Sequence, residues 1–355
     1  MLQQKSDDYH VYIGCYAPET SAGIYQFAFQ RETGMLTLKQ ELAGIANPSF
    51  LEVNPAETRL YAVSETEQGK VYSIAIEPSG GGLRIMDEQP TLGSAPCHLR
   101  LCGEGSLLAA ANYNGGNVVL YPIEAGGGIG PLACEAKHEG GSVNPQRQEG
   151  PHPHSVFPDP SGQYILVPDL GTDRIMVYRL DRCERKLVLH REVAARPGSG
   201  PRHLAFHPNG DALYVIHELD STVTSYAYDA ADGELNEQGT YSTLPADYKG
   251  WNGCAEIKVS PCGRYLYASN RGHDSIAVFR IAEDRVRLTA IEHVSTGGRT
   301  PRNFAVTPDG SYLIAANQDS DTIVTFAIDS GTGRLAEAAR ETGIKKPVCV
   351  FIAAR

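Results

Sequence analysis

An internal repeat of about fifty residues constrains this chain more than any other feature of its sequence. Its clearest copy runs from Gly200 to Glu218, GPRHLAFHPNGDALYVIHE. That stretch holds an alternating apolar run with Leu204 and Phe206, a Pro-x-Gly turn from Pro208 to Gly210, and a second apolar run, Leu213 to Ile216, closed by the polar pair His217 and Glu218. The pattern predicts a strand, a tight turn and a strand. Copies open at Asn47, Pro96, Pro153, Cys254 and Pro301, each continuing into further strand-like runs such as YILVPDL and RIMVYRL. The turn prolines Pro160, Pro208, Pro261 and Pro308 are spaced by 48, 53 and 47 residues. Repeats of this length with four strands each predict a β-propeller.

The two ends supply the remaining unit. From Val11 the chain reads VYIGCY, GIYQFAF and MLTLKQELA, three strands with no first strand before them, and Pro347 to Ala353, PVCVFIA, is a lone first strand. Joined, they make one blade and close the ring without an open sheet edge. Counting Ser49, Cys97, His154, Arg202, Ala255, Arg302 and Val348 as equivalent first-strand positions gives seven blades of four antiparallel strands, expected as a single all-β propeller domain over residues 1–355. The longest departures from the period, residues 126–150 and 244–253, are expected as loops above one face.

Composition narrows the partners. A net charge of −11 argues against nucleic acid and anionic membranes, so anion binding would need a local cluster of arginines. The eight cysteines contain no C-x-x-C and read as buried free thiols in a reducing cytosol rather than as disulfides or zinc ligands. The N-terminal MLQQKSDDYH has no apolar leader segment, and the chain is expected to be cytoplasmic, a monomer or weak homo-oligomer. The glycine runs in GGGL and AGGGIG lack a following helix pattern and read as turns, not phosphate loops. His10, His138, His190, His207, His273 and His293 read as surface or turn residues.

The first strand of each blade lines a propeller's central channel, so aligned repeats map its mouth. The first-strand positions supply His154, Arg202 and Arg302; the ends of the second strands supply Ser64-Glu65, Asn112-Tyr113, Asp169-Leu170, His217-Glu218, Asn270-Arg271 and Asn317-Gln318. Taken singly, each is more simply read as polar lining of a wet channel. An imidazole, a carboxylate and several guanidiniums converging on one concavity is instead the composition needed where a base works on an anionic substrate.

The segments PHSVFPDPSGQY, VPDLGTDRI, GPRHLAFHPNG, VIHELDSTV and ASNRGHDSI resemble the lactonase family of seven-bladed propellers over essentially the whole chain. The resemblance implies a catalytic set of His154, Arg202, Glu218 and Arg271 acting on a small anionic sugar lactone; Arg302, Asn270 and His203 are expected to bind the substrate, with no cofactor or metal. Hydrolysis of 6-phosphogluconolactone is the activity it implies first; a carboxy-muconate-type cycloisomerase and a non-catalytic binding scaffold are the alternatives. For hydrolysis, His154 is favoured over Glu218 as general base, with Glu218 orienting the imidazole or the water and the arginines stabilising the anion. A metal-assisted reaction through Asn112, Asp169, Asn270, Asn317 and Glu218 is weaker, because such residues usually bond locally at strand ends. The lone tryptophan, Trp251, and Tyr248 suggest a substrate lid over residues 244–253, although a packed anchor is the commoner role for a lone Trp.

Overall fold

In the computed structural model, which describes residues 9–77 and 82–353, seven four-stranded antiparallel sheets stand in a ring around a central channel. The expectations on the N-terminal leader and on the first two glycines of GGGL concern residues outside the described ones. Blade 1 is the seam: Pro347–Ala353 pairs with Tyr9–Cys15, which pairs with Ile24–Phe29 and then Leu36–Leu42. Blades 2 to 7 follow in chain order, blade 5 being Pro201–Phe206, Ala212–His217, Thr222–Asp229 and Glu234–Ser242.

The sequence of each strand follows from its radius. Second and third strands are covered on both faces by neighbouring blades and read as unbroken apolar runs; Leu107–Asn112 is buried at every residue. Outer strands meet solvent on one face and alternate, as in Lys186–Ala194. The core therefore lies between blades, in clusters such as Leu166, Val177, Leu213 and Val215 between blades 4 and 5. Tyr61, Tyr164, Tyr214 and Tyr265 each donate a hydroxyl hydrogen bond to a backbone carbonyl in the outer turn of the following blade. The Pro-x-Gly turns hold Gly162, Gly210, Gly263 and Gly310 at φ of 68, 78, 73 and 72°, a conformation that excludes most other residues.

Expectations about one loop, the tryptophan, two thiols and one histidine are corrected. Residues 126–150 are not one loop over one face. Gly126 and Gly127 cap blade 2, accepting bonds from Arg59, Tyr61 and Ser73; Cys134–Lys137 is the outer strand of blade 3; and only residues 138–150 cross the channel mouth. Residues 244–253 do lie at that mouth, but Trp251 is no packed anchor: it is 73% exposed. Cys183 and Cys262 are exposed, while Cys15, Cys97, Cys102, Cys254 and Cys349 are buried thiols. His138, expected at the surface or in a turn, is instead buried and bonded through Nδ1 to Asp169 at 2.6 Å, whereas His207 does stand in a turn, although buried against Gly263.

Candidate active site

One backbone irregularity, repeated in every blade, builds the site. Where Ser49, Cys97, His154, Arg202, Ala255, Arg302 and Val348 stand, the first strand slips by one residue against the second, as in the step from Pro201 opposite His217 to His203 opposite Ile216. Such a bulge re-aims one side chain and ends the regular ladder. Here it turns the bulged residue toward the channel mouth. Beside these bulged residues stand others at or just past the ends of second strands, Tyr16, Glu65, Tyr113, Glu218 and Arg271.

Glu218 is the hub. Its Oε2 accepts Arg202 Nε at 3.0 Å and lies 2.8 Å from Arg271 Nη2, and its Oε1 accepts Arg147 Nη2 at 2.6 Å. Burial would raise its pKa, but Arg271, Arg202 and Arg147 outweigh that and hold the carboxyl well below the usual range. Arg202, 2% exposed, also donates Nη1 to the carbonyl of Ala255 at 2.7 Å. Burial, Arg271 and Arg302 pull its pKa down to about 10, the signature of a guanidinium crowded by other cations. Arg271 is fixed by donation to the carbonyls of Gly253 and Cys254 at 3.0 and 2.9 Å. Arg302 stacks over Tyr16 at 5.3 Å and has Glu65 as its nearest carboxylate at 4.0 Å, while Tyr16 donates its hydroxyl to that same carboxylate at 2.9 Å. Four arginines thus face two carboxylates, a surplus of two positive charges at the mouth of an acidic protein.

His154 sits in the bulge of blade 4, 4% exposed, with its ring 5.3 Å from those of Tyr113 and His203. Cys97 lies against it, Sγ 3.7 Å from Nδ1 and donating to the His154 carbonyl at 3.2 Å. Burial, Arg202, His203 and Arg302 depress the imidazole pKa well below its ordinary value, so the ring is neutral at physiological pH. Burial pushes the Cys97 thiol up, which keeps it protonated.

His154, Arg202, Glu218, Arg271 and Arg302 therefore meet at one end of the channel. Three expectations are corrected. Glu218 orients the guanidiniums, not His154, with which it makes no hydrogen bond among the described residues. Asn270 is fully buried: its amide donates to the Thr243 carbonyl at 2.8 Å and its carbonyl accepts from Thr243 and Asn252, leaving nothing to offer a substrate. His203 lies one layer deeper, 2% exposed and bonded through Nδ1 to Glu256, which is itself ion-paired to Lys258; it backs His154 without facing the mouth. Asn112 and Asn317 repeat the clamp of Asn270 by donating to the carbonyls of Thr91 and Thr296, and Asp169 accepts the amides of His152, Gly171 and Thr172. These oxygen donors stitch each blade to its neighbour and do not converge.

Sequence reasoning missed Arg147 and Tyr16. Arg147 comes from the crossing loop, outside the repeat alignment; Tyr16 occupies the blade 1 position that the alignment of second-strand ends left out.

A family model described as a lactonase, 7-bladed β-propeller, matches residues 10–352. The chain is 34% identical over 340 residues to a 6-phosphogluconolactonase of Bacillus subtilis (strain 168), covering 96% of this chain and 97% of that protein. A solved structure from Bacteroides fragilis, provisionally called a 6-phosphogluconolactonase, superposes with a TM-score of 0.91 at 33% identity, over 99% of this chain and 100% of the other. The periplasmic gluconolactonase of Pseudomonas aeruginosa superposes with a TM-score of 0.92 at 31% identity, over 98% and 99% of the two chains.

Proposed function

The chain belongs to the lactonase family of seven-bladed β-propellers, and from that premise we propose that it hydrolyses 6-phosphogluconolactone to 6-phosphogluconate at the mouth formed by His154, Arg202, Glu218, Arg271 and Arg302. The observation that carries this reading is the surplus of two positive charges beside a neutral buried imidazole. His154 removes a proton from water as the oxygen adds to the lactone carbonyl carbon. The carbonyl oxygen becomes an oxyanion facing Arg202 and Arg302, the two guanidiniums whose charge reaches the imidazole. Collapse breaks the bond from the carbonyl carbon to the ring oxygen, and the imidazolium returns its proton to that oxygen. A depressed pKa makes His154 a modest base but a strong acid once protonated, which suits expulsion of an alkoxide. Glu218 serves by aligning arginines, since a carboxylate so strongly stabilised as an anion is a poor proton acceptor.

The test is hydrolysis of freshly generated 6-phosphogluconolactone and of δ-gluconolactone, corrected for the spontaneous reaction. Turnover by wild type should fall about 10²–10⁴-fold in H154A and R202A with the circular dichroism unchanged. Wild type no faster than buffer on both lactones would overturn the reading and favour a binding scaffold. The Pseudomonas gluconolactonase supports a second reading, an unphosphorylated sugar lactone, which the same assay separates by the ratio of the two kcat/KM values. Free buried thiols support a reducing, cytoplasmic setting; among the described residues no helix is long and apolar enough to cross a membrane.

A further inference from the structure

Arg147 stands apart from the other arginines of the mouth. It belongs to no blade. Residues 138–150 leave the outer edge of blade 3 and cross the top of the ring, and Arg147 donates Nη2 to Tyr113 of blade 3 at 3.1 Å and to Glu218 of blade 5 at 2.6 Å. Its guanidinium therefore bridges over blade 4, the blade that carries His154.

The loop does not need Arg147 to hold its shape. Gln148, 1% exposed, donates to the Leu170 carbonyl at 2.9 Å and accepts the Asn144 amide at 3.0 Å; the Ser142 hydroxyl donates to Asp173 at 2.5 Å; and the Gln148 amide closes a turn onto Asn144. Nor does the charge of Glu218 depend on it, since Arg202 and Arg271 hold Oε2 from fixed positions and Arg147 takes only Oε1. The Arg147 side chain is 40% exposed, and an ion pair with one solvent-facing partner contributes little to stability. A third guanidinium on a carboxylate that two already neutralise supplies charge for something not yet present. The side chains of Arg202, Arg271 and Arg302 are only 2, 10 and 18% exposed, so Arg147 is the guanidinium that meets the solvent-facing end of a bound ligand.

Resting on the lactonase reading, we propose that Arg147 is the specificity-determining residue of this site: it binds the distal phosphate of the sugar lactone by a bidentate contact and so separates phosphorylated from unphosphorylated substrates. When the phosphate arrives, the guanidinium trades its bond to Glu218 for the ligand, and Glu218 stays neutralised by Arg202 and Arg271.

The experiment compares wild type, R147K and R147Q on 6-phosphogluconolactone and δ-gluconolactone, and measures binding of 6-phosphogluconate and gluconate by calorimetry. In R147Q the ratio of kcat/KM values, phosphorylated over unphosphorylated, should fall at least 30-fold, chiefly through KM. R147K, with a point charge in place of the planar fork, should fall between the two. Equal losses on both substrates, or an unchanged ratio, would overturn the assignment. If wild type hydrolyses neither lactone, the functional reading fails, yet calorimetry still decides on Arg147. A preference of wild type for 6-phosphogluconate over gluconate that vanishes in R147Q supports it; equal affinity of wild type for the two refutes it.

Discussion

Replacing Glu218 with glutamine tests the electrostatic construction of the mouth most directly. The carboxylate meets Arg147, Arg202 and Arg271 at 2.6, 3.0 and 2.8 Å, and its side chain is 7% exposed. Removing one member of a buried ion cluster costs about 3–5 kcal/mol, because the charges left behind are desolvated and unpaired. For a chain of 355 residues the unfolding entropy is roughly 0.75 kcal/mol/K, so E218Q should lower Tm by about 4–7 °C. The loss has a second signature. The local surplus rises from two positive charges to three, so inorganic phosphate should raise the Tm of the variant more than that of wild type, and the difference should shrink as sodium chloride screens the cluster. Differential scanning fluorimetry with and without phosphate reads both effects. A Tm within 1 °C of wild type, or equal stabilisation of the two proteins by phosphate, would show that Glu218 does not anchor the arginines.

Three further outcomes follow from the same structure. Burial holds His203 and His217 at about 4, whereas both titrate near 6.5 when unfolded; between those values the unfolded chain binds more protons, so this stability is complete above about pH 6.5 and is lost as pH falls through 4, on the order of 3 kcal/mol for each. Tm should therefore drop steadily from pH 7 to 4.5 and less steeply in H203Q, and a flat profile for wild type would contradict it. Asn270→Ala removes an amide bonded to the Thr243 carbonyl inside the protein, and should cost about 1–3 kcal/mol in urea unfolding with KM moved less than 3-fold, whereas a large rise in KM would restore Asn270 as a substrate contact. Trp251, the one tryptophan and 73% exposed beside the mouth, should report ligand directly: saturating 6-phosphogluconate should shift its emission to shorter wavelength, and an unchanged spectrum would separate the 244–253 loop from the bound ligand.

What the repeat disclosed and what it hid have one physical cause. A propeller position is set by its blade register, so the alignment that made Arg202 and Arg302 equivalent first-strand residues placed them at what the structure shows to be equivalent bulges, and residues at equivalent bulges share one end of the channel. Ring number, seam and the meeting of His154, Arg202, Glu218 and Arg271 were legible for that reason. Orientation within a register position was not. Asn270 and Arg271 are adjacent and equally polar, yet the strand turns one into the blade-to-blade stitch and the other toward the mouth, and only the repeated bonding of Asn112, Asn270 and Asn317 reveals which is which. The same alternation carries His203 beneath Arg202. Arg147 escaped because a crossing loop has no register: its place depends on where Gln148 and Ser142 find partners in blade 4. Function then divides along this line. On the proposed lactonase reading, the repeat fixes the groups needed to polarise a carbonyl and move a proton, and the choice among anions is assigned to Arg147, a residue that the repeat does not constrain.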